Sequence, residues 1–192
     1  MNFIIDRDIN SIIINLNENN FSILNNKTIL FAGGGGFLGY YFVRLFNKII
    51  DDNNLTLKVI FVDNFTSSSK KFHQIKSNHN NFEFLNLDIC SPSILNLNYK
   101  FDYIIHAAGI ASPFYYRKKP IETLDVSILG SKNLLELSRI NNAKFTFFSS
   151  SEIYGDPDPK YIPINEGFRG NVSTTGPRAC YDEGKRVGET LC

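Results

Sequence analysis

A chain of 192 residues with 43% hydrophobic content and 17 phenylalanines can bury a core of its own and suits one domain of ordinary size, which argues against a disordered chain. With 20 basic against 19 acidic residues the formal charge is +1, so neither nucleic acid nor an anionic membrane surface finds an electrostatic handle. Three cysteines, Cys90, Cys180 and Cys192, form no CxxC pair, which points to free thiols in a reducing cytoplasm and to no metal site.

Residues 1–27 carry Asp6 and Asp8 early and lack both a long apolar core and a small-residue cleavage site, so this leader does not read as a secretory signal. Ile5, Ile9, Ile12 and Leu16 recur at helical spacing between polar residues, which predicts an amphipathic helix lying on the domain. No stretch reaches the roughly 18 apolar residues that a membrane span needs. The asparagine-rich stretches 15–26 and 78–81 read as loops.

The domain proper is expected over 28–192. Its first apolar run reads as a buried strand, the glycines from Gly33 to Gly36 turn the chain, and apolar residues at 38, 41, 42, 45, 46 and 49 follow at helical spacing. Gly33, Gly36 and Gly39 stand three apart: the first permits the tight turn, the second lets a pyrophosphate approach the backbone, and the third lets helix and strand pack closely. The free N–H groups and the positive end of the helix dipole then face the phosphates. Asp63 closes a second strand, 57–62, and lies 24 residues after Gly39, where a dinucleotide fold places its ribose-binding carboxylate. A carboxylate there accepts from the ribose hydroxyls and repels a 2′-phosphate, which selects NAD; Lys70 and Lys71 keep NADP open.

Further strands are predicted at 82–87, 101–107 and 144–148, with a long helix over 121–140 presenting Ile121, Leu124, Ile128, Leu135 and Ile140 on or near one face. Strands alternating with helices imply an α/β fold with a doubly wound parallel sheet, whose ligands bind outside the carboxyl ends of the strands. The residues to inspect are therefore those just after strands: the glycine turn, Asp63, Asp88, 106–109 and 149–152. Asp88 is either an acceptor for the adenine amino group or a turn cap. Ala107, Ala108 and Gly109 are small where a flat cofactor must pass the backbone, and His106 reads as a packed, hydrogen-bonded histidine. His73 and His79 fall in a polar loop, and Arg117, Lys118 and Lys119 read as a solvated one.

Tyr181 and Lys185 are four apart, so on a helix they share a face. An ammonium beside a phenol favours the phenolate, which makes a tyrosine usable as a base near neutral pH. GGxGFxG at 33–39, Asp63, SSSEIYGDP at 149–157 and GPRACYDEGKR at 176–186 together resemble the extended short-chain dehydrogenase/reductases, the superfamily of NAD-dependent nucleotide-sugar epimerases and dehydratases, and within it the UDP-glucuronate decarboxylases. The resemblance runs from about residue 28 to the end. It implies a Rossmann-type fold, Tyr181 as catalytic base, Lys185 as its partner and a cofactor-ribose ligand, Ser151 as the hydroxyl bonding the reacting sugar oxygen, and Glu152 as the decarboxylases' glutamate. It further implies NAD contacts through Gly33, Gly36, Phe37, Leu38, Gly39, Asp63, Asn64, Asp88, Ile89, Ala107, Ala108, Gly109, Ser149, Tyr181 and Lys185. The implied substrate is a UDP-sugar, UDP-glucuronate first, with 4-epimerisation and 4,6-dehydration as the alternatives inside the superfamily and a non-catalytic NAD-binding module as the alternative outside it.

Dehydratases of the superfamily carry an Asp-Glu pair where this chain has Ser151-Glu152, and an ordinary hydroxyl is a poor general acid, which disfavours dehydration. Ser127 stands where the superfamily has Asn. Relatives continue beyond the position of Cys192 with a sugar-binding domain and dimerise through the catalytic helix, so the chain is expected to be the cofactor half of a longer, homodimeric enzyme.

Overall fold

The computed structural model describes residues 2–16, 18–68 and 80–192. Lys70, Lys71, His73 and His79 lie outside these residues, as do the expectations attached to them. Five strands, β1 (Lys27–Ala32), β2 (Leu57–Asp63), β3 (Phe82–Asn86), β4 (Tyr103–His106) and β5 (Lys144–Phe147), form one parallel sheet in the order β3-β2-β1-β4-β5. The order reverses between β1 and β4, which is the switch point at which a doubly wound sheet opens a crevice. Five α-helices accompany it: α1 (Asn2–Asn15), α2 (Phe37–Asn53), the short α3 (Pro113–Tyr116), α4 (Pro120–Asn141) and α5 (Ala179–Leu191).

The core lies on both faces of the sheet. Side chains alternate along β1: Ile29 and Phe31 join Val43, Phe46 and Ile50 of α2, whereas Leu30 and Ala32 join Leu134 and Leu137 of α4. Burial on both faces is why 29–32 is an unbroken apolar run, and each large side chain so buried contributes about 1.5–3 kcal/mol. Helices α2 and α4 stop at Asn54 and Asn142, whose φ of 50° and 53° puts them in the left-handed region that asparagine tolerates better than other side chains.

Three expectations need correction. Strand β4 is shorter than 101–107, because Asp102 accepts the Thr28 N–H at 2.9 Å and the Lys27 ammonium at 3.0 Å, fixing the chain before the ladder starts at Tyr103. Part of the first asparagine-rich stretch is a 3-10 helix, Glu18–Leu24, which seats Phe21 in the core at 6% exposure.

The buried stripe of α4 is also different: Ile121 and Ile140 are 64% and 57% exposed, and the face turned inward carries Thr123, Ser127, Gly130, Ser131, Leu134, Leu137, Ser138 and Asn141. Helix α4 is sandwiched between the sheet and α5, and close approach requires small residues there. A Cβ on Gly184 of α5 would stand 3.3 Å from the Ser127 side chain. Two of the inward polar groups bond to main chain: the Thr123 hydroxyl donates to the Lys119 carbonyl at 2.7 Å and the Ser138 hydroxyl to that of Ala143 at 2.7 Å.

Helix α1 packs on α2 through Ile5 and Ile9, with Asp6 paired to Arg44 at 3.0 Å and the Tyr41 hydroxyl donating to Asp8 at 3.1 Å. Leu16, expected on the same stripe, is exposed. Among the described residues no helix is long and apolar enough to cross a membrane.

Candidate active site

The turn after β1 is built so that two backbones can touch. Gly33 has φ +91° and donates to the Val62 carbonyl at 2.9 Å, and a Cβ there would fall 2.6 Å from the Ala108 nitrogen. Only glycine fits, and the exit of β4 can therefore run directly beside the turn. A Cβ on Gly39 would overlap the Gly34 carbonyl, so this glycine serves helix–turn packing. Gly36 is the N-cap of α2 with no side-chain cap, leaving the first-turn N–H groups of Phe37, Leu38 and Gly39 without intrahelical acceptors at the positive end of the dipole.

This turn opens into a crevice across the carboxyl ends of the strands. Of the expected cofactor residues, Gly33, Gly36, Asp63, Asn64, Asp88, Ile89, Ala107, Ala108 and Gly109 line it. Phe37, Leu38 and Gly39 do not: the first two side chains are 77% and 44% exposed and the glycine is buried, so what these residues present to a ligand is main-chain N–H. Ser149, Tyr181 and Lys185 also lie outside the crevice lining. Thr66, Ser67, Ser68, Cys90, Glu122 and Asp125 line it without having been singled out from the sequence. For the first three the signal was the hydroxyl-rich run directly after Asp63; for the two acids it was their spacing on the first turns of α4.

Asp63 does more than wait for a ligand. Its carboxylate accepts the Gly35 N–H at 2.9 Å, the Phe65 N–H at 2.7 Å and the Ser68 hydroxyl at 2.9 Å, tying the glycine turn to the loop after β2. Asp88 accepts the Cys90 N–H at 2.8 Å and the Asn64 amide at 3.0 Å, so it is a turn cap within the crevice wall. Burial first, and the Asp88 carboxylate second, push the Cys90 thiol up to about 12, which keeps it protonated and unreactive. His106 is fully buried, bonds the Val126 carbonyl at 3.2 Å and stands edge-on to Phe147; burial lowers its pKa to about 3, so it is a neutral packing residue.

Helix α5 carries Tyr181 and Lys185 one turn apart on one face. Lys185 is 5% exposed and donates to the Phe148 carbonyl at 2.6 Å, over the Phe147 ring at 4.7 Å, and burial lowers its pKa to about 8. Its Nζ would stand 3.7 Å from a Cβ on Gly109, so it borders the crevice from outside, and it lies 6.0 Å from the Tyr181 ring centroid. The Tyr181 ring stacks on the buried Tyr116 at 5.8 Å and 21°. Ser149 and Ser151 are exposed after β5, Ser151 opening a 3-10 turn, Ser151–Tyr154. Among the described residues no hydrogen bond joins Ser151 to Tyr181; the two hydroxyls are carried by separate elements. Glu152, in contrast, is ion-paired with Arg178 at the start of α5.

A glycine turn against a positive-φ approach, an acid after β2 and a Tyr-Lys helix over the end of β5 make one constellation, and residues 29–192 match the model of the NAD dependent epimerase/dehydratase family. The chain belongs to this family. Among curated family relatives, UDP-glucuronic acid decarboxylase 1 of Danio rerio is 41% identical over 168 residues, 88% of this chain and 37% of that protein. Two solved relatives share the fold: epimerase Mth375 from Methanothermobacter thermautotrophicus, with TM-score 0.72 and 26% identity over 90% of this chain and 48% of that one, and UDP-glucose 4-epimerase from Bifidobacterium longum in complex with NAD+ and UDP, with TM-score 0.66 and 28% identity over 86% and 48%. The chain thus spans less than half the length of these family members. The Rossmann-type sheet is common to them all, and α1 falls outside the matched residues.

Proposed function

We propose that the chain binds NAD across the glycine turn and supplies the cofactor side and the acid–base residues of a UDP-glucuronate decarboxylase. The fit to NAD rests on the cradle itself: Gly33 and Gly36 leave main chain and N–H groups open where side chains would block a pyrophosphate, and Asp63 stands at the end of β2 to receive the ribose. Bound there, NAD would supply a hydride acceptor for C4 of the sugar and the hydride for its later reduction, so it would act catalytically and not as a consumed cosubstrate.

The residues of this chain do the rest. Loss of the C6 carboxylate directly would leave an unstabilised carbanion at C5, and a ketone at C4 delocalises that charge. Tyr181 takes the C4 hydroxyl proton, Lys185 holds the ribose and the local positive charge, and Ser151 bonds the sugar oxygen. Once carbon dioxide has left, C5 takes up a proton from solvent, and Tyr181 gives its own proton back to the C4 oxygen when C4 is reduced again.

The observation that carries the reading is Glu152 held against the head of α5, the helix that bears Tyr181, together with 41% identity to a decarboxylase. The experiment is incubation with NAD and UDP-glucuronate followed by mass analysis. A product lighter by carbon dioxide is expected; a product of unchanged mass with inverted C4, or one lighter by water, overturns it. The 4-epimerase reading is the second in line, because the solved relative carrying NAD+ and UDP is a 4-epimerase and that reaction needs only Tyr181, Lys185 and Ser151.

A further inference from the structure

Two arginines of α5 and its cap reach back to the same short turn. Arg178, the N-cap residue, is ion-paired with Glu152 and stands 3.4 Å from Asp182 one turn into its own helix, whose carboxylate is 12% exposed. Arg186, on the far side of Lys185, donates to the Ile153 carbonyl at 2.9 Å and lies 3.6 Å from Glu183. The turn that carries Ser151 and Glu152 is thereby gripped at two successive residues by the helix that carries Tyr181 and Lys185. A cation at a helix N-terminus opposes the dipole, so helix formation gives no reason for an arginine at 178. An isolated exposed ion pair would hold little, but here a single guanidinium nitrogen, Nη2, meets carboxylates from two segments, at a reach one bond longer than that of a lysine ammonium.

We propose that Arg178 is the positioning residue of the site: bridging Glu152 and Asp182, it holds the turn that carries Ser151 and Glu152 against the head of the helix that carries Tyr181 and Lys185. This rests on the decarboxylase reading for its consequence, and on the ion-pair geometry alone for its existence. The charged groups that α5 and its cap bring to the turn are Arg178, Asp182, Glu183, Lys185 and Arg186; Arg178 alone among them is paired with Glu152.

The test has two arms. First, the Glu152 carboxyl is titrated by carbon NMR in the unaltered chain, in Arg178→Gln and in Arg178→Lys. Removal of the charge should raise the Glu152 midpoint, and lysine, which keeps the charge, should raise it less. A midpoint unmoved in Arg178→Gln overturns the proposal whatever the chain does to a sugar. Second, carbon dioxide release from UDP-glucuronate is followed. Both variants should lose roughly 10- to 100-fold in kcat, with KM within about threefold and NAD affinity unchanged, because a misplaced group costs rate before it costs binding. Arg178→Lys at full kcat overturns the need for the guanidinium's reach to both acceptors, and it serves if the glutamine variant does not fold. Where this chain, which spans 37% of its decarboxylase relative, shows no turnover, the titration decides the pairing.

Discussion

The Nζ of Lys185 donates to the carbonyl oxygen of Phe148 at 2.6 Å, fastening α5 to the end of β5 by one buried charge-assisted bond. No carboxylate shares that ammonium among the described residues, so its charge is carried by a carbonyl and an aromatic face, and the folded pKa falls from 10.5 to about 8.

The depressed value has a signed consequence for stability. Between pH 8 and 10.5 the unfolded chain binds the Lys185 proton and the folded chain has released it, so stability gains as pH rises through that window. Below pH 8 the full cost of burying the ammonium is borne, about 3 kcal/mol from 2.5 pKa units. Urea unfolding of the unaltered chain and of Lys185→Met at several pH values should show their difference moving by up to about 3 kcal/mol toward the unaltered chain from pH 7 to pH 10.5. Parallel curves would show that Lys185 is not buried as a cation.

Gly188 sets how close α5 can come. A Cβ there would stand 2.8 Å from Cε1 of Phe147, whose half-buried ring stands edge-on to His106 at 5.2 Å. Gly188→Ala should cost about 1–3 kcal/mol through overpacking, and Phe147→Leu in the same chain should recover part of it. Thermal unfolding of the two single variants and the double variant measures this; strict additivity would mean that the ring and the glycine do not meet.

How far the sequence reaches depends on which interaction decides each residue. Strands β1 and β2 were readable because their unbroken apolar runs report burial on two faces, and the glycine turn was readable because backbone approach permits no other residue at 33. The inward face of α4 was not, because its small polar residues are selected by the nearness of α5, a tertiary contact that helical periodicity cannot encode. The same limit applies to Lys185. Spacing put it beside Tyr181, but only the fold reveals that its ammonium is drawn to Phe148. Arg178 escaped notice for the same reason, since its partner Glu152 lies 26 residues earlier in the chain.

Asp63 joins two jobs in one carboxylate. Its carboxylate organises Gly35, Phe65 and Ser68, and it faces the crevice where a ribose would lie. Asp63→Asn keeps the size but loses the charge and turns one acceptor oxygen into a donor, so only part of that hydrogen-bond set survives and the affinity for NAD should fall roughly 10- to 100-fold, the worth of hydrogen bonds to a charged group. The affinity for NADP should fall less or rise, because the 2′-phosphate is no longer repelled. Calorimetric titration with both nucleotides decides it, and an unchanged ratio of the two would remove Asp63 from cofactor selection.

Tyr181 offers the cleanest separation of chemistry from structure. Its ring is held by stacking on Tyr116 at 5.8 Å, and Cys180 beside it donates to the Tyr116 carbonyl at 3.7 Å, so the ring's place does not depend on its hydroxyl. That hydroxyl bonds no other group among the described residues. Tyr181→Phe should therefore unfold within about 0.5 kcal/mol of the unaltered chain and bind NAD within about twofold, since neither packing nor the crevice changes. Turnover of UDP-glucuronate should drop by about 10²- to 10⁴-fold, the usual contribution of a positioned proton-transfer group. Carbon dioxide release beside thermal unfolding and NAD titration tests all three at once. A variant that keeps its rate would mean that another group takes the C4 proton, and the proposed roles of Lys185 and Ser151 would fall with it.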